Sequence, residues 1–236
     1  MSNQKFLLLL AILYLPIWVG LAIDPNHRSD WLLENVLVVI AIILIASTYR
    51  GFPLSRISYL LIFLFLSLHT VGAHYTYAEV PYRDWLELIG YSADNESRNH
   101  FDRLVHFFYG LLIAYPIREL FIRIATVRGF WGYFLPLEFT MATSMLYELV
   151  EWGAAMIFGG ELGMAFLGTQ GDIWDAHKDM ALASLGALIT MSFTAMLNRG
   201  IQRDFAEEWN ESLRVKGKHP LGEEEIIRLT ENNSPN

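Results

Sequence analysis

The chain contains no cysteine. That excludes disulfides and thiolate metal sites and leaves the redox compartment open. It has no HExxH pair on a helix, no glycine-rich nucleotide loop, no G-x-S-x-G elbow and no basic nucleic-acid stripe. A net charge of −8 points away from nucleic acid. No internal repeat or low-complexity stretch is visible, so the paired halves of an inverted-repeat transporter are missing. What remains is apolar. Of 236 residues, 53% are hydrophobic, and the mean hydropathy is +0.31. Those values are ordinary for a polytopic membrane protein and high for a soluble domain.

Runs of about 20 apolar residues cross a bilayer as helices, and tilt allows somewhat fewer. Six such runs are predicted, at 6–23, 31–48, 57–74, 101–121, 133–158 and 178–197. The expected fold is an all-α, polytopic membrane helix bundle over 1–198. A cytoplasmic amphipathic helix and a disordered tail follow over 199–236. The first run has only Lys5 before it and a poor small-residue cleavage site at Val19-Gly20-Leu21-Ala22, so it reads as a retained helix.

Lys and Arg in the loops set the orientation. Lys5, Arg50, Arg56, Arg118, Arg123, Arg128, Arg199, Arg203, Arg214, Lys216, Lys218 and Arg228 fall on one side. Arg28, Arg83, Arg98, Arg103 and Lys178 fall on the other. The richer side is expected to be cytoplasmic, with both termini there. Loops 24–30, 75–100 and 159–177 then face outward. In the tail, Ile201, Phe205, Trp209 and Leu213 recur every four residues. That spacing gives a helix on the membrane surface or against the bundle. Residues 83–90 read as a short interfacial helix.

The ionisable residues are distributed unevenly. The first three runs are nearly uncharged and read as shielding; the last three carry acids and histidine. An ionisable group in a bilayer costs roughly 3 kcal/mol or more on insertion scales, so it normally faces a bundle interior or wet cavity. Asp102 and His106 lie four apart and share a helical face. Glu148 and Glu151 are three apart and look the same way. Two such acids in low dielectric share a proton or are neutralised by a cation. Asp172, Asp175 and Asp179 follow i, i+3, i+7 on one face, where Asp172 also suits a helix cap. His177 and Lys178 point elsewhere. At the end of the third run, His74 sits at the mouth, whereas His69 reads as a packed, hydrogen-bonded histidine.

All of these groups are placed toward the outer face. The candidate catalytic residues are Glu148 and Glu151. The candidate metal ligands are His106, Asp102, Asp175, Asp179 and His74. Carboxylate and imidazole together suit a divalent cation such as Zn, Mn or Mg. A structural Asp–Arg–His network accounts for the Asp102 and His106 spacing equally well.

The strings HFDRLVHFFYGLL, LYELVEW and LGTQGDIWDAHKDM resemble the signatures of the YjdF-like bacterial inner-membrane proteins. The resemblance spans most of residues 6–197. It implies a multi-pass protein of the bacterial inner (plasma) membrane and no particular activity. More distantly, an acid-bearing helix followed by Gln and spaced aspartates is similar to VanZ-like membrane proteins. In those, Asn and nearby Gly follow the aspartates; here Asp179 holds that place and glycine waits until Gly186. No glycopeptide-resistance role carries over.

Three functions remain open on these residues. One is a metal-dependent hydrolase or transferase acting on a lipid or lipid-linked substrate. Another is a proton- or cation-coupled transporter or binding protein. The third is a non-enzymatic membrane factor with a structural polar cluster. Membrane lipid is the expected partner, and nucleic acid is not.

Overall fold

The computed structural model describes residues 2–88, 90, 98–160, 163, 167–216 and 222–232. Parts of the loops 75–100 and 159–177, and the last four residues of the tail, lie outside them. Among the described residues the regular elements are helices: α1 Asn3–Ala22, α2 Arg28–Thr48, α3 Arg56–His74, α4 Tyr82–Leu88, α5 Phe101–Ile124, α6 Trp131–Phe158, α7 Asp175–Ile201, α8 Phe205–Ser212 and α9 Glu223–Asn232.

Five helices, α1, α2, α3, α5 and α7, are long and apolar enough to cross a membrane. The sixth long helix, α6, has 28 residues, which exceeds the length a span needs. Glu148 and Glu151 lower its hydropathy. The chain is thus an all-α membrane bundle of about six spans. The short predicted helix at 83–90 corresponds to α4, and residue 89 lies outside the described set.

The tightest packing joins α5 to α7. A Cβ on Gly110 would lie 1.8 Å from the Ala183 carbonyl oxygen, and one on Gly186 would lie 2.2 Å from that of Phe107. Only hydrogen fits at these two positions. Gly110 and Ala114 on α5 meet Ala183 and Ala187 on α7, and the three alanines are fully buried. This is a small-xxx-small contact on each helix, which lets backbones approach within a membrane. Thr190 Oγ1 adds a 2.6 Å hydrogen bond to the Leu111 carbonyl. The two helices run parallel, in register steps of four: Asp102 lies near Asp175 and Asp179, Gly110 meets Ala183 and Ala187, and Ala114 packs with Ala187. Close packing below therefore fixes the polar groups above.

The other helices pack around this pair. α3 lies on α5, α6 lies on α5 and α7, and α1 lies on α3. α2 rests on α3 and does not pack extensively on α6. Many large apolar side chains of α1 and α2, such as Ile12, Leu15, Ile43 and Leu44, face outward, as lipid contact requires. Far from the acids, Glu119 accepts hydrogen bonds from Ser55 N–H (2.9 Å) and Ser58 Oγ (2.6 Å). It thereby holds the start of α3 against α5.

Beyond α7, Phe205 and Trp209 of α8 pack tilted against Tyr133 at ring-centroid distances of 6.2 and 5.9 Å. Ser212 Oγ accepts the Phe130 N–H at 3.0 Å, and its carbonyl accepts Trp131 Nε1–H at 2.8 Å. The Phe205/Trp209 half of the tail's apolar face thus docks on the bundle, while Ile201 and Leu213 are exposed.

The charge bias of the loops yields a direct test of orientation. Reporter fusions after Arg50, Arg123 and the C-terminus are expected to read cytoplasmic. Fusions near Asp94 and Glu161, which lie outside the described residues, are expected to read external. An external C-terminus would refute the arrangement.

Candidate functional site

The acids gather at one end of the bundle, where α5 and α7 begin. Two loops are stitched there before either helix starts. The Gln170 side chain makes a reciprocal pair with the Asn99 backbone: Asn99 N–H donates to Oε1 at 2.7 Å, and Nε2 donates to the Asn99 carbonyl at 3.0 Å. Gln170 and Gly171 have φ of 47° and 85°, and the left-handed turn they make delivers the chain into α7. Arg98 donates to the Thr169 carbonyl and to Asp175. Arg103 Nη2 donates to Asp172 Oδ2 at 2.5 Å and reaches Asp175 Oδ1 at 3.3 Å.

Asp172 does not share the helical face of Asp175 and Asp179, because α7 begins only at Asp175. Its Oδ1 accepts the Trp174 N–H at 3.0 Å, an Asx-type turn, and its Oδ2 accepts Lys178 Nζ at 2.6 Å. The Lys178 ammonium, then the Trp174 N–H and the Arg103 guanidinium, hold its carboxyl below the usual carboxylate range. It is ionised and structural. His177 is exposed and lies edge-on to Trp174.

Behind this rim, Asp102, Asp175 and Asp179 each present a carboxylate oxygen within 4.8 Å of the others. His106 Nε2 lies 3.6 Å from Asp102 Oδ1 and 3.4 Å from Glu148 Oε1. Glu151 is buried and within Coulombic reach of Asp102, Glu148, Glu34 and Asp179. Six of the seven candidate residues therefore come together from three helices. His74 is placed otherwise. Its Nδ1 donates to the Leu21 carbonyl at 2.8 Å and ties the end of α1 to α3.

The early helices do more than shield, contrary to expectation. α2 starts before residue 31, and its first turns bring in Asp30 and Glu34, which are 1% and 4% exposed. Tyr147 donates to Glu34 Oε2 at 3.0 Å. His69 is packed and hydrogen-bonded. Its Nε2 lies 3.1 Å from the Glu34 carbonyl, and its Nδ1 lies 2.5 Å from Tyr77 Oη. A carbonyl only accepts, so Nε2 carries the proton and Nδ1 accepts from the tyrosine. Burial pushes the Tyr77 phenol well above its usual pKa, which keeps it a donor. The signal for Asp30 and Glu34 was available in the four-residue spacing of two acids at the start of a long apolar run.

The donor set fits a divalent cation. Glu148 Oε1 and Asp179 Oδ1 are buried and accept no hydrogen bond from the described residues, and carboxylates with imidazole suit Mg, Mn or Zn. Asp175 is already engaged by two guanidinium groups, which offset part of the negative charge.

A cavity of about 400 Å³ adjoins the cluster. Its polar end is formed by Glu34, His69, Tyr77, Asp102, His106 and Tyr147; the rest is mainly apolar, with Tyr109, Thr143 and Ser144 among it. Asp175, Asp179, Glu148 and Glu151 lie behind Asp102 and His106 and do not line it.

Residues 6–200 match the family described as "Predicted membrane protein (DUF2238)". The chain is 42% identical over 178 residues to inner membrane protein YjdF of Escherichia coli (strain K12), a match covering 73% of this chain and 81% of that protein. No solved structure matches significantly. The match covers all six long helices and the loops that carry the carboxylates, and on that ground the chain belongs to this membrane-protein family, as a multi-pass protein of the bacterial inner membrane.

Proposed function

We propose that the protein is a metal-dependent hydrolase or transferase acting on a lipid or lipid-linked substrate at the external side of the inner membrane. One observation carries this reading: an excess of buried carboxylate beside a cavity with an apolar body. His106 lies between Asp102 and Glu148 in a cluster that also holds Glu151, Asp175 and Asp179, and the guanidinium groups of Arg98 and Arg103 balance only part of its charge. Low dielectric makes so many like charges costly without further neutralisation.

Asp102, Asp175 and Asp179 would hold the metal, with His106 beside them. A divalent cation bound there would supply polarisation of a substrate oxygen and would acidify a water toward neutral pH. The protein's own groups do the rest. Glu148 would accept the proton of the attacking water or substrate hydroxyl at Oε1, and the His106 imidazole, 3.4 Å away, stabilises the carboxylate before transfer. Glu151, within hydrogen-bonding reach of Glu148, can share that proton. Arg98 and Arg103 orient Asp175.

Purified protein is expected to contain roughly one divalent metal per chain, as a single closed ligand set implies. Metal at a hundredfold excess over its Kd should raise stability by about 2.7 kcal/mol, and a chelator should remove that gain. Glu148→Gln and Asp179→Asn are expected to lower occupancy because the amide keeps shape and loses charge. His177→Ala should not. Metal-free protein, indifferent to chelator and as stable in both amide variants, would overturn the proposal in favour of a structural cluster.

A proton- or cation-coupled carrier is the second reading. It is favoured by the chain Tyr147–Glu34–His69–Tyr77, in which the Glu34 carboxylate accepts from Tyr147 and lies 4.0 Å from His69 Nε2, and His69 Nδ1 accepts from Tyr77. Intramembrane acids and histidines commonly form such relays. Proton uptake by reconstituted vesicles that is abolished by Glu34→Gln would support this reading over the hydrolase.

A further inference from the structure

The cavity is not closed on all sides. Its back wall is made of Phe65 on α3 and Val105 on α5, both well buried. Its rim is made of Val36 and Ile40 on α2 and Leu146 and Val150 on α6, which are 54%, 52%, 57% and 53% exposed. α2 and α6 are the neighbours that do not pack extensively together, and the Tyr147–Glu34 hydrogen bond crosses the gap between them. The opening is thus lateral. It faces the hydrocarbon surroundings of the bundle and not the aqueous loops.

From Glu34 to Ile40 the cleft descends about 9 Å along the α2 axis. It runs from the carboxylate level, near the start of the helix, toward the middle of the span. Its upper end presents Asp102, His106 and Tyr147, and its lower walls are Leu37 and Ile40 of α2, Tyr109 of α5 and Thr143 of α6. A volume near 400 Å³ falls within the range of small-ligand sites, roughly 300–1,000 Å³. A polar end at interface depth with an apolar body below it, open to the bilayer, matches a lipid and does not match a soluble metabolite.

We propose that the cleft between α2 and α6 seats one hydrocarbon chain of a membrane lipid, whose polar end then lies against Asp102 and His106. This deepens the reading of the site as one that acts on a lipid, and it rests on that reading for its functional meaning. The occupant enters sideways from the leaflet and needs no aqueous path. Ser144 and Thr143, at the inner wall, are small enough to leave the width that the chain requires.

The test uses full-length protein in nanodiscs of phosphatidylethanolamine and phosphatidylglycerol, with a trace of phosphatidylglycerol carrying a mid-chain diazirine. After irradiation, labelled residues are mapped by mass spectrometry. Label is expected on the inner-wall residues Phe65, Val105 and Leu37, besides the lipid-facing Leu8 and Ile12 of α1. Leu37→Trp fills the cleft and should reduce inner-wall label by about tenfold or more while leaving α1 label unchanged. Leu33→Trp, one turn away on the same wall, is the second variant should Leu37→Trp fail to fold. Inner-wall residues without label, or label that neither tryptophan alters, would overturn the proposal. Metal content is read on the same samples. Metal-free protein with a labelled inner wall removes the metal reading and supports the seat. Metal-loaded protein with an unlabelled wall removes the seat and leaves the metal reading standing.

Discussion

Gly110→Ala is expected to destabilise the bundle by about 1–3 kcal/mol, the usual cost of overfilling a packed contact. It should lower the occupancy of the carboxylate cluster at the same time. The new methyl would lie 1.8 Å from the Ala183 carbonyl and 2.8 Å from the Ala187 nitrogen. Both are backbone atoms of a helix, so neither can swing aside, and α5 and α7 must separate. The separation is felt toward the start of both helices, where Asp102 meets Asp175 and Asp179 across the same interface. Gly20→Ala is the control, because nothing lies within 4 Å of the added atom. There alanine should be neutral or stabilising through helix propensity. Thermal unfolding of both variants in one detergent reads the difference. Equal midpoints would mean that the α5–α7 approach is looser than described.

The second large effect is expected from Arg98→Met. Arg98 is the buried link between the loop before α5 and the first turn of α7. Its guanidinium and the Asp175 carboxylate are 11% and 5% exposed. Removing one partner of such a pair leaves a charge without its counterpart, at a cost of about 3–5 kcal/mol. Arg103, at 3.3 Å from the same oxygen, offsets part of that loss. Adding Asp175→Leu to Arg98→Met should recover stability, since the uncompensated charge is gone, and a double-mutant cycle isolates the coupling. If Arg98→Met melts with the parent protein, Arg103 alone suffices and the loop clamp is dispensable.

Local spacing revealed about half of this site. Asp102 with His106, Glu148 with Glu151, and Asp175 with Asp179 each repeat at three or four residues, so one helix shows the pair on one face. What the spacing could not show is register between helices. Gly110 and Ala183 are unremarkable apart, and their contact exists only because two distant segments lie parallel. Asp30 and Glu34 escaped notice for a different reason. An acid in the first turn of a helix is commonplace for its dipole, and the apolar run after it hides that the turn is buried. His69 reads as a packing residue, and nothing in the local sequence sets Tyr77 or Tyr147 apart. Their linkage depends on a turn after α3 that no periodicity encodes. Asp172 was misplaced by counting it into the helix, whereas its side chain makes the turn that precedes it.

The parallel pairing of α5 with α7 also bears on how the protein is made. Asp102 and His106 enter the membrane long before their partners exist, because α7 is the last span to leave the ribosome. Until then α5 and α6 hold their histidine and acids without Arg98's target or the small-residue surface of α7. An unfinished chain ending after α6 therefore leaves ionisable groups without the partners that offset their cost in lipid. The polar cluster is in this way completed only at the final step of synthesis, when the last long helix arrives.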